Sequence, residues 1–288
     1  MKKFAVIDIG SNSVRLMFVA DGKILYKALN TTRLGEGIAD KPLLKPEAIE
    51  RSAQAVASFC ARAKNEGAEG VFAFATAAVR TAENRKDFLD RVAALCGVSV
   101  EVITGEEEAE IGILGALGNQ DGGVIDVGGA STEIVVKSEG ALTYKKSVNI
   151  GVVRLKDRCG REENALVAMA KEAAKEYQKS LIPKTLCAIG GTATTIAAQT
   201  LGLTEYRSER ITGAEITAEE MSAFSKKLLS MTVEEIVLLP CMPKGRADVL
   251  TGGAVLLSVL MQELGIERLI VSDRDNLEGY AIRKGLLV

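Results

Sequence analysis

The sequence predicts an α/β protein of two related βββαβαβα halves that face each other across a cleft. Three observations carry that expectation. The phrase VIDIGSNSVRL at Val6 returns as VIDVGGASTEI at Val124, at a constant offset of 118 residues that matches Asp8 with Asp126, Gly10 with Gly128 and Ser13 with Ser131. A fixed-offset echo marks a repeated unit. Each copy opens on a short, nearly continuous apolar run, the pattern of a strand buried on both faces. After each copy, strand-like and helix-like segments follow in the same order.

Element by element, residues 4–9, 14–20 and 23–29 read as three strands, the last two joined by the hairpin signal Asp21-Gly22. Pro46 near a first turn and helical spacing of Ala, Ile and Val predict a helix over 46–66. Strands are expected at 70–75 and 99–104, and helices at 83–97 and 106–117. The polar stretch GNQDGG, 118–123, is the expected hinge between domains 1–118 and 119–288. The second half restarts with the strands GVIDV, TEIVVK and LTYKKSV, then a helix over 162–180, a strand over 186–190 and a helix over 192–200. Residues 201–245 read as an insertion with two short helices, started by the capping boxes Thr217–Glu220 and Thr232–Glu235. A long buried helix over 247–265, a strand over 267–273 and a helix over 276–285 close the order.

Composition narrows the chemistry. The 288 residues are 47% hydrophobic and carry a net charge of −2, so a nucleic-acid or membrane surface is not expected. Five scattered cysteines without a CxxC pair read as reduced thiols of a cytoplasmic protein. MKKFAVIDIGSNS does not read as a signal peptide, because Asp8 interrupts the apolar run, and no segment offers about 20 uninterrupted apolar residues. Histidine is absent, which excludes Ser-His-Asp and Cys-His nucleophile machinery. Acid–base work falls to carboxylates, Lys, Tyr or Cys.

The repeated phrase has a specific chemical use. Gly10, Ser11, Asn12 and Ser13 form a turn of small residues whose successive N–H groups can cradle an anion, and Arg15 can pair with phosphate. Gly128, Gly129, Ser131 and Thr132 offer a second such cradle. Asp8 and Asp126 end their strands beside these turns, and a carboxylate next to phosphate calls for a cation between them, for which Mg2+ is the usual choice. Either turn alone also fits an ordinary hairpin with an Asx-type bond. A third glycine turn, Gly190-Gly191-Thr192, lies between a strand and a helix, as a phosphate-chain or nucleoside contact or as tight packing.

Three glycine turns on a duplicated frame resemble the actin and sugar-kinase superfamily, with its ribonuclease H-like lobes. VIDIGSNSVRL, VITGEEEAEIG, GVIDVGGASTEIVV, SVNIGVVRL and AIGGTAT, in that order, are similar to motifs of the exopolyphosphatase / guanosine pentaphosphate phosphohydrolase (Ppx/GppA) family. The resemblance covers essentially the whole chain. It implies release of terminal phosphate from polyphosphate or guanosine pentaphosphate with water and Mg2+. It puts the catalytic base on Glu108, a phosphate-contacting arginine at Arg80, and a Mg2+ carboxylate at Glu133 beside Asp126 and Asp8. Gly151 and Arg154 either line the cleft or support it.

Departures from the family pattern are Ala130 for glycine, Glu110 where many relatives have arginine, and Leu277 in SDRDNLEG where arginine is usual. The helical domain that longer relatives carry after this point is not in the sequence. With fewer basic contacts, shorter or less processively handled chains are expected. An ATP-dependent small-molecule kinase on the same frame and a polyphosphate or alarmone sensor that does not hydrolyse remain as rivals, and a homodimer stays open.

Overall fold

The computed structural model describes residues 2–287. The first half runs β1 (Lys3–Ile9), β2 (Ser13–Ala20), β3 (Lys23–Thr31), α1 (Pro46–Asn65), β4 (Gly70–Ala75), α2 (Ala77–Thr81), α3 (Arg85–Cys96), β5 (Val100–Val102) and α4 (Gly105–Leu117). The second runs β6 (Gly122–Val127), β7 (Thr132–Ser138), β8 (Ala141–Val148), α5 (Val152–Cys159), α6 (Glu163–Ala174), β9 (Thr185–Ile189), α7 (Gly190–Thr200), α8 (Ser208–Ile211), β10 (Glu215–Thr217), α9 (Ala218–Ser230), α10 (Val233–Val237), α11 (Ala247–Leu264), β11 (Arg268–Val271) and α12 (Asn276–Arg283).

Two mixed sheets result, ordered β3-β2-β1-β4-β5 and β10-β11-β9-β6-β7-β8. In each, three antiparallel strands lead and parallel strands follow, with the short β10 added antiparallel to β11 at the edge of the second: β1 pairs antiparallel to β2 and parallel to β4, as β6 does to β7 and β9. β1 is buried from Ala5 to Ile9 because strands flank it and helices cover it, whereas β3, at an edge, is mostly exposed.

The last helix of each half crosses to the other sheet. On α4, Ala109 and Ile113 pack with Val124, Val135 and Ile189 of the second sheet. On α12, Leu277 and Tyr280 pack with Val6, Met17 and Phe74 of the first, the Tyr280 ring stacked on Phe74 at 4.4 Å between centroids. The two helices touch backbone to backbone: a β-carbon on Gly115 would collide with the Asp275 carbonyl, and one on Gly279 with the Ile111 carbonyl. This exchange carries the first turn of α4 to the floor between the sheets.

The structure corrects several sequence expectations. Residues 152–159, read without an element, are helical, and the short α2 follows β4. The helix expected over 162–180 stops at Ala174, where Tyr177 turns inward and its hydroxyl donates to the Thr132 carbonyl at 2.8 Å. The strand expected over 99–104 is three residues long, because Thr104 leaves it to cap α4 in a capping box with Glu107. β10 is an edge strand too short to show a period, and α9 is a full 13-residue helix. The 18 residues of α11 could span a membrane by length and composition, and they form the core of the second lobe.

Candidate functional site

The two echoed turns have the same local geometry. Gly10 N–H donates to Ser13 O at 3.0 Å, and Gly128 N–H donates to Ser131 O at 3.0 Å. Among the described residues, the N–H groups of Ser11, Asn12, Gly129 and Ala130 donate to no protein acceptor. The turns also meet: a β-carbon on Gly129 would lie 2.7 Å from Ser11 Cβ and 3.1 Å from Asn12 N. Both therefore face one cavity of about 970 Å³ between the sheets. Its floor is lined by Asp8, residues 10–13, Arg15, Glu108, Asp126 and residues 128–131. The third turn, Gly190 to Thr192, reaches the same cavity. Gly190 has φ +79°, and any β-carbon there would strike Asp126 Oδ1, so glycine is required.

The other candidates fall into three groups. Glu108 reaches the cavity from the first turn of α4 and is 6% exposed; Arg80 Nη1 donates to its Oε2 at 2.8 Å and to the Ile103 carbonyl at 3.1 Å. Glu133 stands beside Asp126 in the β6–β7 register but outside the cavity wall, accepting from Ser147 Oγ at 2.6 Å. Thr132 does not contribute to a cradle as expected: its hydroxyl donates to the Ile150 carbonyl at 2.7 Å, inside the core. The Thr192 hydroxyl is likewise turned to the Val127 carbonyl at 2.9 Å, although Thr192 lines the cavity.

Gly151 and Arg154 support the second turn. Val152 N and Val153 N, at the start of α5, donate to the carbonyls of Gly128 and Gly129 at 3.0 and 2.7 Å, and Arg154 Nε holds the Ala130 carbonyl at 2.8 Å. A β-carbon at position 151 would lie 2.6 Å from the Gly128 carbonyl oxygen. The methyl of Ala130 is fully buried in the core of the first lobe, so it ties one lobe to the other.

Arg15 is shared between two carboxylates. Its Nε donates to Asp8 Oδ2 at 3.0 Å, and its two terminal nitrogens pair with Asp8 and Asp275. Among the cavity residues that escaped the sequence reading are Arg246, Asp275, Asn276 and Lys27. Arg246 is buried against Gly191 without a carboxylate partner among the described residues, and burial with repulsion from Arg15 brings it down to about 10. Asn276 Nδ2 donates to Asp126 Oδ2 at 3.0 Å. Lys27 Nζ pairs with Glu278 at 2.6 Å.

The acids dominate the electrostatics. Burial, with Glu108 and Asp275 nearby, pushes Asp126 up to about 8. Burial, then Glu108 and Asp126, raises Glu133 well above the ordinary range. Burial raises Glu108 against the pull of Arg80, and raises Asp8 against that of Arg15. For Asp275 burial works upward, but Arg15 and Lys27 hold the group below its usual value. Asp8 Oδ1, Glu133 Oε2 and both side-chain polar atoms of Asn12 are buried without a partner among the described residues.

Two lobes of related topology, each built on a mixed sheet and closed on a shared cavity by matched glycine turns, define a two-lobed α/β protein. The chain belongs to the Ppx/GppA phosphatase family, whose pattern matches residues 18–288. It is 32% identical to exopolyphosphatase 2 of Mycobacterium tuberculosis, over 98% of each chain. It is 31% identical to a guanosine-5'-triphosphate,3'-diphosphate pyrophosphatase of Photobacterium profundum, over 99% of this chain and 58% of that protein. The crystal structure of an exopolyphosphatase-like protein superimposes with a TM-score of 0.91 at 29% identity, over 98% of each chain.

Proposed function

We propose that this protein hydrolyses phosphoric anhydrides, releasing terminal phosphate from inorganic polyphosphate and, as a second substrate, guanosine pentaphosphate. The observation that carries the reading is the meeting of the two turns at the floor of one cavity that Glu108 also reaches. In this reading the main-chain N–H groups of residues 11–12 and 129–130 hold the terminal phosphate. Glu108 orients a water and takes its proton; a carboxyl raised by burial has a proton affinity closer to that task. Arg80 fixes the Glu108 carboxylate and balances its charge. Phosphoryl transfer needs positioning and charge stabilisation more than covalent chemistry, so this inventory is sufficient.

The donor set suits Mg2+. Asp8 and Glu133 present hard oxygens that are buried without partners among the described residues, and Asp126 is an acid crowded by other acids. Among the described residues no three such side chains converge as a ready metal cluster. Mg2+ commonly takes one or two carboxylates and fills its shell with water and phosphate oxygens. Asp126 with Asp8 and Glu133 would hold it, and it would supply neutralisation of the leaving phosphate's charge.

The test is phosphate release from polyphosphate and from guanosine pentaphosphate with Mg2+ and no acceptor present. Release from either supports the reading, and the ratio ranks the substrates. Tight binding without release from both would leave a sensor instead, and phosphate transfer that needs an acceptor alcohol would make the protein a kinase.

A further inference from the structure

The cavity floor is more acidic than a phosphate site needs to be. Asp8, Glu108, Asp126 and Asp275 line it together with the cations Arg15, Lys27 and Arg246. The proposed function uses the first three acids and leaves Asp275 without a task. This carboxylate is 5% exposed and splits its two oxygens. Oδ1 accepts from Leu277 N at 3.0 Å and caps α12, while Oδ2 is paired with Arg15 Nη1. The pairing spans the cleft, since Arg15 stands on β2 of the first sheet and Asp275 follows β11 of the second. Lys27 Nζ reaches across beside it, to Glu278 at 2.6 Å and to the Asp273 carbonyl at 2.8 Å.

An arginine that lines an anion cavity with one terminal nitrogen on an internal carboxylate is already answered in the way a phosphate oxygen would answer it. We propose that Asp275 is a specificity-determining residue, its carboxylate standing on Arg15 in the place of a substrate phosphate that must displace it. The inference rests on the proposed function. Its consequence is discrimination by charge. Orthophosphate offers few contacts with which to displace an anchored carboxylate, whereas a polyphosphate gains further contacts along its chain. Product is thereby released and polyanionic substrate retained.

Asp275→Asn and Asp275→Ser both remove the charge and keep a side chain able to cap a helix. In either variant orthophosphate should bind roughly tenfold tighter by calorimetry, about the worth of one charge-assisted hydrogen bond. KM for polyphosphate should fall while kcat does not rise. A residue that only braced α12 would lower thermal stability and leave the orthophosphate affinity unchanged, and that result overturns the proposal. If neither variant folds, the Arg15 side-chain NMR signal of the wild type decides. It moves on saturation with imidodiphosphate if Asp275 is displaced and stays in place if the ion pair persists. A wild type that neither binds nor hydrolyses polyphosphate would remove the functional reading and this inference together. A hydrolysing wild type with unchanged variants would remove this inference alone.

Discussion

The two copies of the repeated phrase share a backbone and differ in charge. In the first, Asp8 faces Arg15 across the β1–β2 register; in the second, Asp126 faces Glu133 across the β6–β7 register, at the corresponding position. One aspartate is neutralised by a guanidinium, and the other is crowded by burial and further acids until it is pushed up to about 8. Duplication supplied two equivalent main-chain turns. The residue seven places after each aspartate made one side of the cleft cation-compensated and the other cation-seeking. Glu108 joins the acidic side because α4 crosses to the second sheet.

The largest expected effect is at Glu108. Glu108→Gln should lower kcat by about 10²-fold or more and leave KM within a few-fold, measured by steady-state phosphate release. An unchanged kcat would move the base elsewhere. On the compensated side, Arg15→Met leaves two buried carboxylates without their shared partner and should destabilise the fold by about 3 kcal/mol in chemical denaturation. Arg15→Lys should recover part of that loss.

The acidic side should show itself in pH dependence. Asp126 sits at about 8 in the folded chain against an ordinary 3.8. The folded state then keeps a proton that the unfolded chain has released above about pH 4. Its contribution to stability is fully present below that pH and is lost as pH rises to about 8. Without divalent cation, thermal stability should fall across this window, and Asp126→Asn should flatten the fall; a slope shared by both proteins would assign it to other groups. The smallest effect is at the lobe junction. Ala130→Gly removes a fully buried methyl and should cost about 1–2 kcal/mol of stability in chemical denaturation.

What was legible in the sequence followed from local pattern. The apolar runs before Asp8 and Asp126 gave the two central strands, and the matched glycine turns gave the cleft floor. Glu108 was singled out by the family resemblance, since acids that open a helix read equally well as helix capping. Arg246, Asp275 and Asn276 lie far along the chain from the turns they face, and no period or spacing ties them to Asp8 or Asp126. SDRDNLEG drew notice only for Leu277, two residues beyond Asp275. Thr132 was misplaced because a hydroxyl beside a glycine turn reads the same whether it faces a ligand or the Ile150 carbonyl. The crossing of α4 and α12 was hidden for a similar reason, since an amphipathic pattern names an apolar face and not the sheet that covers it.

A crystal structure with Mg2+ and imidodiphosphate tests the shared-cradle claim most directly. The expected result is one phosphate group within hydrogen-bond reach of main-chain N–H groups from both residues 11–12 and residues 129–130. An anion held by one lobe alone, or seated away from Glu108, would contradict it.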